Sequence, residues 1–349
     1  MIWLRRAISF LALTTIFSNA IAQNLSSISG KVIDAKTKEA LPGATVFLAN
    51  TTIGIAASET GSFTLTQIPQ GKYDLTVTMV GYTSYSKPIL FSGNKLEGLV
   101  ITLEPSLIQL NAVTVEARKE KQDRYLYSQF EDRFLGFTQN SAHCKIVNPA
   151  DIFVYKEDNK IIAVASKPIV VENKALGYKI FYELKEFELK KVTNVLWMSM
   201  SGIPRFEELT PESEKQKIKW VKARDRAYFG SISHFLISLR RNELKQNYFE
   251  IRGGAGNLIT KKEIVRDSSI RYEGILRVSF DGEIAETAYA RNMSYQNSEV
   301  NFTGDPITIY SNGYFEDYRN VSFQGYMGWI TNIAEMVPLG YQPTQPLRK

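Results

Sequence analysis

The sequence of 349 residues predicts a small all-β sandwich followed by a larger α+β domain. Three observations lead to this prediction. Between residues 27 and 104, β-prone runs alternate with turn residues at about ten-residue spacing, which is typical of a sandwich. A charged run without aromatic residues, 118–124, then separates this part from the rest. Beyond it, apolar residues recur at helical spacing within 213–247, with strand-like runs on both sides.

Composition excludes several classes of protein. With 44% hydrophobic and 22% charged residues, the chain is ordinary for a globular protein, so overall disorder is excluded. One Cys and two His are too few for a disulfide framework or for a zinc site built from His and Cys. No metal and no cofactor are therefore expected.

Residues 1–22 have the layout of a secretory signal peptide. Two arginines precede an apolar run of about 11 residues, and small residues stand at the −3 and −1 positions of a cut before Gln23. The run is shorter than the roughly 20 residues that cross a bilayer, so no transmembrane span is expected. The sequence predicts export, and a location in the periplasm if the cell has two membranes.

The predicted sandwich, 23–104, contains one strand with a clear alternation of side chains, 73–79. Tyr73, Leu75, Val77 and Met79 fall on one face of this strand, and polar residues fall on the other. Pro and Gly stand between the predicted strands, where they preset or widen the allowed backbone angles of turns. One face of the strand is therefore expected in the core and the other in solvent.

Five blocks of the sandwich, in chain order, resemble the carboxypeptidase-regulatory-like family. The resemblance implies a transthyretin-like sandwich of seven strands. In its best-known context this domain adjoins a zinc peptidase, which needs a His-x-x-Glu pair. Neither His143 nor His234 is followed by Glu three residues later, so no peptidase is expected. The blocks are 30–34, 41–46, 59–63, 68–73 and 80–82.

In Bacteroidota, the same domain commonly stands at the N-terminus of TonB-dependent transporters of the outer membrane. Residues 110–117 resemble the β segment that follows the domain there, so 105–124 is predicted to hold a β segment and a charged linker. This resemblance implies an outer-membrane or periplasmic protein as partner.

The predicted α+β domain, 125–349, begins with an amphipathic helix of about 14 residues from Tyr125. Its strands are predicted at 161–164, 178–189 and 275–280, and an Asn-Gly turn at 311–313 predicts a hairpin. Blocks along this domain resemble an uncharacterised region that follows the sandwich in short envelope proteins of Bacteroidota. That resemblance implies an architecture and no activity. The blocks are 146–149, 171–180, 204–209, 227–231 and 338–343.

The predicted main helix, 213–247, carries nine Lys or Arg against three Asp or Glu, so the basic excess of the chain is local. This helix could contact an acidic protein surface, an acidic glycan or anionic lipid. The alternative, which charge runs of this kind favour, is a core helix with a solvated face. Nucleic acid is not expected, because no binding motif accompanies the charge. The candidate contacts are Lys215, Lys219, Lys222 and Arg226.

Two further candidate sites have a structural alternative. In the polar block 172–178, Asn173 and Lys174 could contact a ligand, or the block could be a turn in which Gly177 supplies backbone freedom. Eight aromatic residues, Trp329 among them, crowd 310–341 and could stack on sugar rings. Such residues also serve as core and hairpin packing.

The sequence as a whole favours a non-catalytic exported protein of the cell envelope, which binds or assembles with a partner at the periplasmic side of the outer membrane. One alternative is a glycan-binding accessory of polysaccharide uptake. Another is a hydrolase with a carboxylate site dispersed along the chain, because such pairs are distant in sequence.

Overall fold

The computed structural model describes residues 25–106, 123–192, 195–283, 289 and 295–344. The predicted signal peptide and the predicted β segment 110–117 lie outside the described residues. Within them, the chain forms an N-terminal sandwich and a C-terminal region of mixed strands and helices, which confirms the predicted fold class.

The N-terminal part is a sandwich of seven strands, the number that the family resemblance implies. One sheet has the order β4-β1-β7 and the other β3-β2-β5-β6, with β1 and β7 parallel and the other pairs antiparallel. Tyr73, Leu75 and Val77 point into the core as predicted, and Met79 is partly buried against it. The prediction that the opposite face lies in solvent is wrong for Thr76, which is fully buried. The strands are β1 Ser26–Asp34, β2 Thr45–Leu48, β3 Gly54–Ala56, β4 Ser62–Ile68, β5 Gly71–Thr78, β6 Tyr85–Phe91 and β7 Lys95–Leu103.

The C-terminal region begins with a helix and a six-stranded sheet. Asp123 caps helix α1 by accepting hydrogen bonds from the backbone N–H groups of Tyr125 and Leu126. The sheet has the order β8-β11-β12-β10-β9, and β13 pairs with β12 along its whole length. The elements are α1 Arg124–Leu135, β8 Cys144–Ile146, β9 Ile152–Glu157, β10 Lys160–Ala165, β11 Ile169–Asn173, β12 Tyr178–Val192 and β13 Val195–Glu208.

The remainder holds four helices and two smaller sheets. One sheet has the order β14-β17-β18-β20 and the other β15-β16-β19. The helices are α2 Glu214–Tyr228, α3 Ile232–Arg241, α4 Lys261–Ile264 and α5 Tyr326–Ile330. The strands are β14 Phe249–Arg252, β15 Val265–Arg266, β16 Ser269–Ile270, β17 Glu273–Phe280, β18 Gln296–Thr303, β19 Ile307–Thr308 and β20 Val321–Gly325. Single 3₁₀ turns occur at Ser141–His143, Pro149–Asp151, Tyr318–Asn320 and Ile333–Glu335.

The prediction of one long helix over 213–247 is wrong, because the chain breaks between α2 and α3. Gly230 adopts φ +77°, which no helix interior allows, and a side chain at this position would collide with Gln296. Ser231 then starts α3 by accepting a hydrogen bond from the N–H of His234. Helical spacing continues across the break, so the hydrophobic pattern alone does not reveal it.

The C-terminal region has two hydrophobic cores where a single domain was predicted. One core lies between α1 and the six-stranded sheet. The other lies between α3 and the sheet that contains β17 and β18. Helix α2 joins them, because Ala227 belongs to the first core and Tyr228 to the second.

The sandwich is held against the C-terminal region by the predicted Asn-Gly turn. Asn312 is buried, and its side-chain amide donates a hydrogen bond to the carbonyl of Lys72 at 2.8 Å. Gly71 permits this approach, since a Cβ there would lie 2.5 Å from Asn312. Beside it, the Tyr314 hydroxyl donates to Asp74, and Lys72 pairs with Glu316. The turn therefore works as a docking contact as well as a chain reversal.

His234 lies inside the second core, surrounded by aromatic rings of Tyr228, Phe229, Phe249 and Phe280. Its Nδ1 accepts a hydrogen bond from the backbone N–H of Gly230 at 3.1 Å. Burial lowers the pKa of this imidazole from 6.5 to about 3, because the charged form would lose its solvation. His234 is thus a neutral packing residue of the core.

We predict that this histidine makes the fold sensitive to acid. Between pH 6.5 and about 3, the unfolded chain binds a proton at His234 that the folded chain does not. The free energy of unfolding should therefore fall as the pH drops through this window, by at most about 1.4 kcal/mol per pH unit from this residue. Urea titrations at several pH values measure the slope. His234→Gln should flatten it, whereas the control His143→Gln, which keeps His234, should retain it.

Candidate functional site

Helix α2 is seated on the turn that joins β11 to β12. Its Trp220 is buried, and the indole N–H donates a hydrogen bond to the carbonyl of Lys174 at 2.9 Å. The ring covers Gly177, where an added Cβ would lie 2.2 Å from the indole. Gly177 also has φ +71°, so both the space and the backbone angle at this position require glycine.

Arg224, one helical turn after Trp220, is the second residue that attaches α2 to this turn. Its guanidinium donates to the carbonyls of Leu176 at 2.7 Å and Gly177 at 3.1 Å, and to the Glu208 carboxylate at 3.1 Å. The same group lies 3.9 Å from the centre of the Tyr178 ring. A buried guanidinium is stable only when its N–H donors have acceptors. Here each of its three nitrogens donates to an oxygen, and the Tyr178 ring contacts the group as well.

Asn173 is part of this turn and not of a binding surface. It is fully buried, and its side-chain oxygen accepts hydrogen bonds from the N–H groups of Ala175 and Leu176. Its amide donates to the carbonyl of Ala334 at 2.9 Å. The prediction of Asn173 as a ligand contact is therefore wrong. The alternative of a structural turn is correct, because asparagine here replaces backbone partners that the turn leaves unpaired.

The face of α2 opposite this seat presents four cations. Lys215, Lys219, Lys222 and Arg226 recur at intervals of four, three and four residues, which places them on one side of a helix. All four are exposed. Among the described residues, no acidic oxygen lies within 4.0 Å of any of them. We call these four residues the cationic stripe; it runs about 16 Å along the helix.

A neighbouring lysine on the same helix, unlike the four stripe residues, forms an ion pair. Lys217 lies 3.6 Å from Glu214, one turn before it, in an exposed ion pair. Arg226 stands in the last turn, where a positive charge is favoured by the helix dipole.

Lys174, on the turn beneath α2, exposes 71% of its side chain and reaches Glu172 only at 3.9 Å. It remains a candidate contact.

The C-terminal aromatic residues do not form one exposed platform. Trp329 is half-buried and packs against Tyr289 and Tyr326, with ring centres 5.4 and 5.7 Å away. Of these eight aromatic residues, only Tyr318 is exposed. Tyr310 and Tyr314 contact the sandwich, and Phe315, Phe323 and Tyr341 pack against the second core. Tyr341 also contacts α2 through Asp225, and Tyr326 packs with Trp329. The eight residues are Tyr310, Tyr314, Phe315, Tyr318, Phe323, Tyr326, Trp329 and Tyr341.

Helix α2 also holds the C-terminal end of the described chain, a role that no pattern in the sequence indicates. Asp225 is buried and accepts hydrogen bonds from the hydroxyls of Tyr341 at 2.6 Å and Thr344 at 2.8 Å. This carboxylate is therefore committed to a structural bond.

In the described part of the chain, no group of three or more His, Cys, Asp or Glu could hold a metal ion. Among the same residues, no helix combines the length and the hydropathy that a membrane span requires.

We predict that Gly177→Ala displaces α2 from the turn that joins β11 to β12. The new methyl group would overlap the Trp220 ring and would also force a side chain into a positive φ. The free energy of unfolding should fall by about 2–4 kcal/mol, the sum of overpacking and backbone strain. Urea denaturation and near-ultraviolet circular dichroism measure the effect.

The control for this variant is Gly98→Ala, which has φ +72° and no atom within 4 Å of an added Cβ. It should cost only the backbone strain, about 1 kcal/mol. Equal losses of unfolding free energy in the two variants would show that Trp220 does not pack tightly against Gly177.

Residues 28–115 match the family model described as a CarboxypepD_reg-like domain. The match covers the sandwich strands except the first two residues of β1, and it extends beyond Leu103, the last residue of β7. No curated protein sequence matches the chain.

Several solved structures are similar to the chain over about a quarter of its length. The pilus 2b backbone protein of group B streptococcus is 18% identical over 23% of this chain and 41% of its own, with a TM-score of 0.20. BcpA, the major pilin subunit of Bacillus cereus, is 22% identical over 24% of this chain and 30% of its own, also at 0.20. The Klebsiella pneumoniae 5-hydroxyisourate hydrolase is 18% identical over 23% of this chain and 91% of its own, again at 0.20. The family-model match alone identifies the sandwich as a CarboxypepD_reg-like domain, which a C-terminal α+β region follows.

Proposed function

We propose that this chain is a non-catalytic, exported protein of the cell envelope, which acts as a binding or assembly accessory at the periplasmic side of the outer membrane. In this proposal the cationic stripe of α2 contacts an acidic surface on a partner protein. The observation that carries it is the set of four exposed cations on one seated helix, with no acidic group near them in the described structure.

Charge and rigidity support a contact role for this helix. On an ordinary solvent-exposed surface, lysines are commonly interspersed with acidic residues. The stripe instead places four positive charges in a row along one helix. A local positive potential of this kind speeds the encounter with an acidic partner and rejects a basic one. Trp220 and Arg224 fix the direction of the helix, so the four charges are presented without first ordering the backbone.

Two features support the envelope location. Residues 1–22 have the layout of a signal peptide, and the CarboxypepD_reg-like domain resembles the N-terminal domain of outer-membrane transporters in Bacteroidota. The glycan-binding alternative has less support, since seven of the eight aromatic residues that suggested it are partly or fully buried in contacts within the chain.

We predict that expression with the full N-terminus yields an exported protein that starts at Gln23. Intact-mass spectrometry of the purified protein and fractionation of the cells measure this. The variant Leu11→Arg/Leu13→Arg, which breaks the apolar run, should remain in the cytoplasm at full length, because signal recognition needs that run. Wild-type protein with residues 1–22 still attached and found in the cytoplasm would contradict the proposal.

We predict that reversing the charges of the stripe weakens partner binding. The variant carries Glu at positions 215, 219, 222 and 226, and tagged protein is used to capture partners from detergent-solubilised envelopes. Four lost contacts of about 0.5 kcal/mol each should weaken the capture by roughly thirtyfold. The same partner should also be released from wild-type protein as salt is raised.

The control changes the net charge equally on another exposed surface. It places Glu at Lys31, Lys36, Lys87 and Lys95, which are exposed residues of the sandwich. This variant should retain the partner. If both variants lost it equally, overall charge would explain the capture; if neither did, the stripe would not be the contact.

A further inference from the structure

The ribbon formed by β12 and β13 is the longest pair of strands in the described structure. Its strands have 15 and 14 residues, which corresponds to about 45–50 Å. The end with Tyr178 and Glu208 lies beside α2, where Arg224 contacts both residues. The opposite end is therefore the part of the ribbon farthest from the cationic stripe.

Three consecutive large apolar residues are exposed near this far end. Leu196 is 44% exposed, Trp197 46% and Met198 37%. Single exposed apolar residues are ordinary on a protein surface, but a run of three on one strand is not. Trp197 is opposite Lys190 and Leu196 is opposite Lys191 in the register of the ribbon. We call these five residues the hairpin tip.

The apolar residues of the hairpin tip point to both faces of the ribbon. Successive residues of a strand alternate between faces, so Leu196 and Met198 share one face and Trp197 has the other. A flat protein surface could cover one face only. A medium that surrounds the end of the ribbon, such as the boundary between headgroups and acyl chains of a bilayer, covers both.

The lysines of the hairpin tip suit this boundary. The Lys190 ammonium lies 4.3 Å from the centre of the Trp197 ring and 3.3 Å from Glu188. Lys191 is exposed, and no acidic oxygen lies within 4.0 Å of it among the described residues. Tryptophan concentrates at the headgroup level of membranes, and lysine extends its ammonium from there toward phosphates.

The size of the hairpin tip argues against a second copy of the chain as its partner. Three side chains that are about half exposed offer roughly 300 Å² of apolar surface, estimated from the area of a full aromatic side chain. A stable protein interface needs about 800 Å² from each partner. A bilayer sets no such minimum, because a few inserted side chains and nearby cations add to one another.

We propose that the hairpin tip inserts into the surface of a bilayer that contains anionic lipid, as a reversible peripheral contact. Leu196, Trp197 and Met198 enter the boundary region, and Lys191 stays at the phosphates. The contact is separate from the cationic stripe, which lies at the other end of the ribbon, so either proposal can fail alone.

The test uses the exported full chain and vesicles of phosphatidylcholine with 30% phosphatidylglycerol, some with brominated acyl chains. Wild-type protein should co-sediment with the vesicles, and brominated lipid should quench its tryptophan fluorescence. Trp197→Phe should still co-sediment while most of the quenching is lost, because Trp220 is buried and Trp329 packs elsewhere. Leu196→Ser/Trp197→Ser should reduce the partition coefficient at least tenfold.

The matched control is Val80→Ser/Leu90→Ser, which removes two exposed apolar side chains of the sandwich, and it should partition as wild type does. The variant with a reversed cationic stripe should keep the lipid quenching. Circular dichroism and melting temperatures show that each variant is folded.

Two results would overturn the proposal. One is equal partition of the wild type and the Leu196→Ser/Trp197→Ser variant. The other is a concentration-dependent dimer, seen by analytical ultracentrifugation without lipid and dispersed by that same variant, which would make a second copy the occupant of the hairpin tip.

Discussion

The contact of Trp220 and Arg224 with the 173–178 turn is the one on which the C-terminal region depends. Helix α2 is rich in charge, and Trp220 and Arg224 are two of its five buried residues. Because Ala227 belongs to one core and Tyr228 to the other, a displaced α2 would open both cores at once. A buried guanidinium with satisfied donors gives this contact a single geometry, since any shift would leave donors without acceptors.

The same geometry fixes the outer face of the helix. A helix that turns residues 220 and 224 inward must turn residues 215, 219, 222 and 226 outward, because they lie about half a turn away. The charge pattern of α2 is thus set by its packing pattern. The docked sandwich adds a second constraint, since the Asn312 turn and the Lys72–Glu316 pair hold it against the C-terminal region.

Under both proposals, the long ribbon separates two charged contacts. About 33–40 Å of strand lies between the contact of α2 and the hairpin tip, whereas charges in physiological salt are screened within about 8 Å. The two contacts therefore act as independent binding sites, and a partner at one would not electrostatically hinder the other. Both can be occupied together only if their two surfaces lie that far apart.

The sequence by itself determined the sandwich, the first helix, several strands and the position of the four stripe cations. These follow from short-range rules, namely alternation, helical spacing and turn chemistry, which local residues are sufficient to express. It did not determine the break at Gly230, the two cores, the burial of Asn173 or the docking function of the Asn312 turn. Each of these depends on a partner that is distant in the chain, such as Gln296 for Gly230, Ala334 for Asn173 and Lys72 for Asn312. Only the tertiary structure decided which polar residues bind their own chain and which remain available to another molecule, because that choice is made by contacts that no local pattern records.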